Sequence, residues 1–423
     1  MVSIQPVALL LTAILWVPSA MADETSGTSD WPQWGGANRD FKVPAMELEN
    51  WPAEGLEPRW QKPIGEGYSG IAAVGDRIYT QYREGDEEIV MALNPADGET
   101  VWAHRFDAAP RDGMKLGYGS GPHSTPTWFD GRLFTTGLNG TLHAFEADTG
   151  KVLWKKELWG EELGGSVLVR GYGSSPLIYG ETVILPVGTA RGLVAFGQAD
   201  GNVVWESDTF ENSQSSPILI EVSSGDGAKA QVVSLVNDEV IGVDPEDGTT
   251  LWRFPHKSGG PYNITTPVWD AETSRLFVSS AYGGGGKALS LAYDGDQATV
   301  EEAWSTNRLS IQFTNAVLVD GVLYGTHGRS SYLLTAIDMA SGEALWRKRG
   351  FDRVSLVHAG DKSIAIAETG RLMLIGLRRE YPSMFSEFQL SEERTWTVPT
   401  VAGNVLYIRD EESIWAFELP VRE

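Results

Sequence analysis

A single aromatic position recurs along this chain at intervals of 42 to 52 residues, and this repeat constrains the fold more than any other feature. The repeated positions are Trp60, Trp102, Trp154, Trp205, Trp252, Trp304, Trp346 and Phe388. Five copies of the unit keep one spacing from a small residue to a turn glycine to a tryptophan, as in Ala144, Gly150 and Trp154. The glycine suits a hairpin turn with positive φ, and the tryptophan on the next strand is large enough to pack between neighbouring sheets. A period of roughly 40 to 50 residues built from short alternating strands predicts a β-propeller.

Eight closing aromatics predict an all-β, eight-bladed propeller, with seven blades as the alternative. The C-terminal copy supplies three strands and then ends, so its fourth strand is expected to be the N-terminal one that carries Trp60. Such a closure removes the exposed edge that an open ring of sheets would leave.

The chain divides into three predicted parts. Residues 1–22 read as a secretory signal peptide, because an apolar run too short to span a bilayer precedes a small-residue cleavage pattern. The alternative is an uncleaved anchor. Residues 23–55 form an N-terminal extension, and residues 56–423 form the propeller. We therefore expect a periplasmic or secreted protein that is not membrane-anchored after cleavage.

Charge and cysteine content exclude several classes of function. The formal net charge of −24 repels phosphate backbones, so nucleic-acid binding is not expected. The absence of cysteine removes disulfides, thiolate metal sites, cysteine nucleophiles and a lipid attachment site. No histidine or carboxylate spacing typical of a metal site is present, so we predict no metal ligands and no catalytic residue.

The repeat resembles that of the PQQ-like, or quinoprotein-type, eight-bladed propellers. Two motifs carry the resemblance: the Ala-x-Asp-x-x-x-Gly-x-x-x-Trp unit, as in 336–346, and the opening Trp-Pro-Gln-Trp-Gly-Gly of 31–36. The second motif is similar to the N-terminus of exported bacterial PQQ-binding-like repeat proteins. The resemblance also extends to the propeller lipoproteins of outer-membrane β-barrel assembly, which have this fold and no cofactor. It implies the fold over nearly the whole mature chain, but the repeat builds blades and does not contact a cofactor.

Aligning the blades with each other indicates a binding site at one mouth of the central channel. The position before the first strand of each blade varies in chemistry, unlike a purely structural position. It is occupied by Tyr68, His123, Gly173, Gln214, Ile264, Phe313, Arg353 and Trp396. Neighbouring candidates are Tyr172, Asn263 and Gln312, together with Tyr118, Arg111, Lys115 and Arg170 of two long loops. Mixed aromatic and polar groups at a concave mouth suit a small polar ligand, and positive loops in an acidic chain suit an anion. The alternative is an ordinary water-filled channel mouth.

Three functions are compatible with these features. The first is a non-catalytic, exported scaffold that binds a protein, a glycan or another envelope component, and for it we expect a monomer. The second, implied by the resemblance, is a dehydrogenase that uses PQQ and Ca²⁺ to oxidise alcohols or sugars. It is disfavoured because those enzymes need a cysteine pair beside the quinone and several calcium ligands. The third is a glycan-binding or glycan-cleaving propeller that uses Tyr68, Tyr118, Tyr172 and Trp396 as stacking platforms.

Overall fold

A computed structural model describes residues 30–43, 46–225, 227–260 and 262–422, and the predicted signal peptide lies outside them. Every regular element in this part of the chain is a β-strand, and the strands form eight sheets. No helix in the described ranges has the length and apolar character needed to cross a bilayer. The first strands of neighbouring sheets contact one another, so they surround a central axis as the inner strands of a ring. The predicted eight-bladed β-propeller is confirmed.

Each blade is a four-stranded antiparallel meander that runs outward from the axis, and blades 1 to 8 are numbered in chain order. The inner strands are Ala72–Val74, Thr127–Phe129, Leu177–Tyr179, Ile218–Ser224, Val268–Asp270, Ala316–Val319, Val354–Ala359 and Thr400–Ala402. The second strands are Arg77–Glu84, Arg132–Thr136, Thr182–Gly188, Gly227–Leu235, Arg275–Ser280, Val322–His327, Lys362–Ala367 and Val405–Arg409. The third strands are Glu87–Leu93, Thr141–Glu146, Gly192–Gly197, Glu239–Val243, Gly285–Asp294, Leu333–Asp338, Arg371–Gly376 and Ser413–Glu418. The outer strands are Thr100–Asp107, Val152–Glu157, Val203–Glu206, Thr250–Pro255, Gln297–Thr306, Ala344–Lys348, Ser383–Gln389 and Pro58–Pro63.

Blade 8 closes the ring with strands from both ends of the chain, as the sequence predicted. Its outer strand, Pro58–Pro63, pairs antiparallel with Ser413–Glu418. A further short strand, Lys42–Val43, adds in parallel to the inner strand of blade 7. The N-terminal part of the chain thus pairs with two separate blades, through the extension at blade 7 and through the closing strand at blade 8.

The repeated tryptophans join each blade to the next. Six of them donate the indole N–H to a backbone carbonyl of the following blade, and the pairs are Trp60–Pro95, Trp102–Ala147, Trp154–Gln198, Trp205–Pro245, Trp304–Met339 and Trp346–Arg378. In five of these contacts, all except that of Trp346, the ring also covers the turn glycine of the next blade. The repeat therefore encodes the interface between blades as well as the hairpin within each one.

Trp252 and Phe388 depart from this pattern. The hairpin after Trp252 has long strands joined at Gly295, so the usual turn is missing and the Trp252 indole donates to Gln231 of its own blade. Phe388 has no N–H to donate, and its ring packs instead on Gly55 and Trp51 of the N-terminal extension.

Hydroxyl side chains join the inner strands around part of the axis. The backbone N–H groups of Gly70, Thr125 and Ser175 donate to Thr125, Ser175 and Ser216 of the next blade at 2.9 to 3.0 Å. Neighbouring inner strands are not paired with each other as a sheet, so these bonds satisfy backbone groups that would otherwise be buried without partners.

Candidate functional site

The inner strands all begin at the same end of the ring, so the residues that precede them surround one mouth of the channel, here called the upper mouth. A cavity of about 430 Å³ lies inside it. A second cavity of about 680 Å³ adjoins the first, because Tyr118, Phe313 and Trp396 line both. Eleven of the fifteen rim and loop candidates line the first cavity, and they are Tyr68, Lys115, Tyr118, His123, Arg170, Gly173, Gln214, Ile264, Gln312, Phe313 and Trp396. Arg353 lines the second.

The structure corrects the predicted rim at Tyr172 and Asn263. Both side chains are fully buried and neither lines a cavity. The Tyr172 hydroxyl donates to the Pro186 carbonyl at 2.9 Å, and the Asn263 amide donates to the Val236 carbonyl at 2.7 Å. Each of these two residues precedes its rim position by one and is bonded inside the protein, whereas Gln312, which also precedes a rim position, lines the first cavity.

Aromatic rings form one wall of the upper mouth. Trp396 lies at its centre, with ring centroids 4.5 Å from Phe313, 4.9 Å from Tyr68 and 6.4 Å from Tyr118. His123 stacks on Tyr68 at 5.8 Å. Burial lowers the pKa of His123 to about 4, so this imidazole is neutral at pH 7 and belongs to the aromatic wall.

Three cations face the first cavity, and among the residues that the structure describes none that lines this cavity is a carboxylate. They are Lys115, Arg170 and Arg329. The guanidinium groups of Arg170 and Arg329 lie over Tyr118 and Tyr282 at 4.8 and 4.7 Å from the ring centres. Within the described ranges, none of the three forms an ion pair. A chain with 57 acidic and 33 basic residues therefore has a basic cavity.

The other cations near the mouth are neutralised. Arg353 pairs with Glu368 at 2.7 Å, and Arg394 pairs with Glu411 at 3.5 Å. Arg111, which the sequence analysis grouped with the positive loops, pairs with Glu157 at 3.0 Å and does not line the cavity.

Three residues that line the first cavity carry buried polar atoms with no hydrogen-bond partner. The atoms are Gln214 Nε2, Gln312 Oε1 and Thr314 Oγ1. Buried polar groups in native proteins are nearly always bonded, so each unpaired atom marks a place where a ligand or a water completes the structure. Together they offer an amide donor, an amide acceptor and a hydroxyl.

Sequence analysis missed Trp34, Tyr262, Tyr282 and Arg329, which also line the first cavity. Tyr282 and Arg329 lie on loops that join second to third strands. In an antiparallel meander these loops reach the same mouth as the loops that join successive blades. Only the latter were considered from the sequence. Trp34 lies in the opening motif of 31–36, which was treated as a family signature.

The residues that line the first cavity do not suit the calcium ion that the fold resemblance implies. Calcium takes six to eight oxygen ligands, several of them carboxylates. The first cavity offers cations in their place, and no cluster of three metal-ligating acidic or histidine residues occurs in the described ranges.

Comparison with known proteins agrees with the architecture. The profile of the PQQ_2 family, described as outer membrane protein assembly factor BamB, matches residues 85–348 and 236–380. The chain is 24% identical over 315 residues to the outer membrane protein assembly factor BamB of Yersinia pestis, which covers 69% of this chain and 72% of that protein. The crystal structure of BamB from Moraxella catarrhalis superposes with a TM-score of 0.59 at 16% identity, covering 87% of this chain and 99% of that one. The quinohemoprotein alcohol dehydrogenase from Comamonas testosteroni gives a TM-score of 0.62 at 12% identity, covering 92% and 80%. At these identities, both likenesses concern the fold alone.

Proposed function

Because the chain belongs to the PQQ_2 family, that of the outer membrane protein assembly factor BamB, we propose that it is an exported, non-catalytic scaffold that binds a partner protein. The binding site is the upper mouth, and the bound element is an acidic segment that also carries apolar or aromatic side chains. The observation that carries this proposal is the basic, carboxylate-free cavity within a chain of net charge −24. The predicted signal peptide supports export.

The electrostatics of the cavity favour an anionic ligand. Lys115, Arg170 and Arg329 have no acidic partner among the described residues, so a carboxylate that enters the cavity replaces water around them without breaking an ion pair. Charge-assisted hydrogen bonds from guanidinium to carboxylate are short and stronger than neutral ones. The aromatic wall around Trp396 supplies apolar surface for the remainder of the segment.

A protein segment is favoured over a glycan by the state of the aromatic rings. Of the four predicted sugar platforms, Tyr172 is buried, and the rings of Tyr68 and Trp396 pack against each other. Tyr118 is 62% exposed, but Arg170 covers one of its faces. The names of two relatives support the same choice, since the matching proteins of Yersinia pestis and Burkholderia pseudomallei are called outer membrane protein assembly factors.

The test is calorimetric titration of residues 23–423 with a short capped peptide of alternating Glu and Phe, and with the same peptide carrying Gln for Glu. We expect saturable 1:1 binding of the acidic peptide and no binding of the Gln peptide. The double variant Arg170→Gln, Arg329→Gln should weaken binding about a hundred-fold or more, because it removes two charge-assisted bonds worth about 1.5–3 kcal/mol each.

The control is the double variant Arg59→Gln, Arg349→Gln, which changes the net charge equally at two exposed positions outside the cavity. It should leave the affinity unchanged. Equal binding of both peptides, or of neither, would overturn the proposal. A parallel titration with PQQ and Ca²⁺ tests the non-catalytic assignment, which saturable 1:1 quinone binding would contradict.

A further inference from the structure

The N-terminal segment of residues 31–43, here called the crossing segment, contacts six blades, either within their inner strands or just before them. Trp31 forms backbone bonds with Ala73 of blade 1, and the Pro32 carbonyl accepts a bond from Trp128 N–H of blade 2. Lys42–Val43 pairs with the inner strand of blade 7. Side chains reach blades 3, 4 and 5, as described below. A short segment that contacts six of the eight blades at or beside their inner strands must lie across the channel.

The crossing segment lies at the lower end of the channel. Its backbone partners on blades 1 and 2 follow the rim residues Tyr68 and His123 by five positions along the inner strands. An extended strand advances about 3.3 Å per residue, so these contacts lie well below the upper mouth. The first cavity therefore lies between the upper mouth and this segment.

Arg39 anchors the segment inside the channel. Its side chain is 4% exposed and donates to the carbonyls of Ser175 and Pro176 on blade 3 and of Pro217 on blade 4. Its Nε donates to Gln33 Oε1 within the segment at 2.9 Å. The planar guanidinium presents five N–H donors in a fixed geometry, and a lysine in its place does not bridge the same set of acceptors.

Trp34 is the part of the segment that lines the first cavity. Its indole N–H donates to Thr266 Oγ1 of blade 5 at 2.9 Å, and its ring packs edge-on against Phe41 at 5.3 Å. Gly35 and Gly36 follow with φ of +74° and +81°. A Cβ on Gly35 would lie 2.9 Å from Arg39 Cα, so the glycine pair permits the tight turn that brings Arg39 back beside Trp34.

From this geometry we infer that the crossing segment is a built part of the binding site: it closes the lower end of the channel, and Trp34 is the floor that receives an apolar or aromatic group of the ligand. Arg39 and Thr266 are positioning residues that hold the Trp34 ring. This inference rests on the proposed function, and it assigns to the N-terminal extension a role that the propeller blades do not supply.

The first test uses the Glu and Phe peptide with Trp34→Ala and the control Trp269→Ala. Trp269 is a half-buried tryptophan of blade 5 that does not line the cavity. Trp34→Ala should weaken peptide binding about ten-fold, and Trp269→Ala should leave it unchanged. If wild-type protein binds the peptide and Trp34→Ala binds it equally well, the floor assignment is overturned while the proposed function stands. Failure of wild-type binding instead overturns the proposed function.

The second test reads the Trp34 ring directly by ¹⁹F NMR of protein labelled with 5-fluorotryptophan, the Trp34 line being the one missing in Trp34→Phe. The line should shift on addition of the acidic peptide. In Thr266→Val, which removes the indole acceptor at nearly constant volume, and in Arg39→Ala, the free-protein line should shift or broaden and peptide affinity should fall. Arg39→Lys should restore less than full affinity. A Trp34 line unmoved by the peptide, or unchanged line and affinity in Thr266→Val, would overturn the inference even if Arg39→Ala does not fold.

Discussion

Burial keeps three histidine side chains neutral, and each of them lowers the stability of the folded protein at acid pH. Burial lowers the pKa of His123 to about 4, of His143 to about 3 and of His256 to about 4. His143 packs against Phe106 at 4.5 Å between ring centroids, and the nearby His104 and Lys155 also disfavour its charge. Both ring nitrogens of His256 are buried and have no hydrogen-bond partner among the described residues.

The histidines predict a loss of stability as the pH falls from about 6.5, their unfolded pKa, toward the folded values. In this range the unfolded chain binds more protons than the folded one, so protonation favours unfolding. At pH 5 each histidine contributes at most about 2 kcal/mol of destabilisation. His143→Phe should flatten the fall of melting temperature between pH 7 and 5. An unchanged slope in this variant would contradict the assignment.

The rim position was predictable from the sequence because aligning the blades with each other shows at which position the residue types differ from blade to blade. The sequence did not predict which side chains point outward, so Tyr172 and Asn263 were included although they are buried. Arg329 and Tyr282 could not be predicted in this way, because both lie on loops within a blade and not at the position that was aligned between blades. Arg353 pairs with Glu368, which lies 15 residues later, directly after the second strand of the same blade, so this pairing also involves a loop within a blade.

At the scale of the element, replacing a turn glycine has two separable effects on stability. One is the strain of a positive φ, and the other is the clash with the tryptophan ring of the preceding blade. Gly150 has a φ of +71°, and a Cβ there would lie 2.5 Å from the Trp102 ring. Gly295 has a φ of +60° with nothing within 4 Å of its Cβ position, because blade 5 has no docked tryptophan at this turn. The two glycines share the backbone conformation and differ in the contact.

Gly295→Ala should therefore cost only the backbone strain, about 1–2 kcal/mol. Gly150→Ala should cost about 2 kcal/mol more, because the Trp102 ring must move and its bond to the Ala147 carbonyl is stretched. Urea denaturation of both variants measures the difference. Equal losses would mean that the ring contact contributes nothing at this interface.

The blade pattern was predictable because each copy contains its own turn, strands and docking residue. The exception at Trp252 was not predictable, because its partner turn lies in the next copy of the repeat. The hairpin in that copy is longer than in the others, so the usual turn is missing. The path of the crossing segment also had no local signal beyond its Trp and Gly residues.

At the scale of the whole molecule, the ring is closed within blade 8, where no hairpin joins the outer strand to the third strand. This junction between the two ends of the chain is here called the seam. Trp60 and Trp205 make matched contacts: each is 8% exposed and donates to a proline carbonyl of the next blade at 2.9 Å. Trp205 lies on a strand that is continuous with its own blade. Trp60 lies on the N-terminal strand, which is held to blade 8 by pairing with Ser413–Glu418.

Trp60→Ala and Trp205→Ala should lower global stability by similar amounts, about 3 kcal/mol each. Their hydrogen exchange should differ. Trp60→Ala should increase exchange in both partner strands of the seam, Pro58–Pro63 and Ser413–Glu418, through local opening. Trp205→Ala should leave that seam protected. Identical exchange patterns in the two variants would show that the seam is as cooperative as the other interfaces.

The crossing segment and the closing strand are one stretch of chain, and this fixes the order in which the protein is built. Residues 31–63 are synthesised first, yet their partners in blades 7 and 8 are synthesised last. The floor of the cavity and the closure of the ring at blade 8 therefore remain incomplete until the final strands have been synthesised. A nascent or C-terminally truncated chain has rim residues but no finished site, so the ability to bind a partner reports that biogenesis is complete.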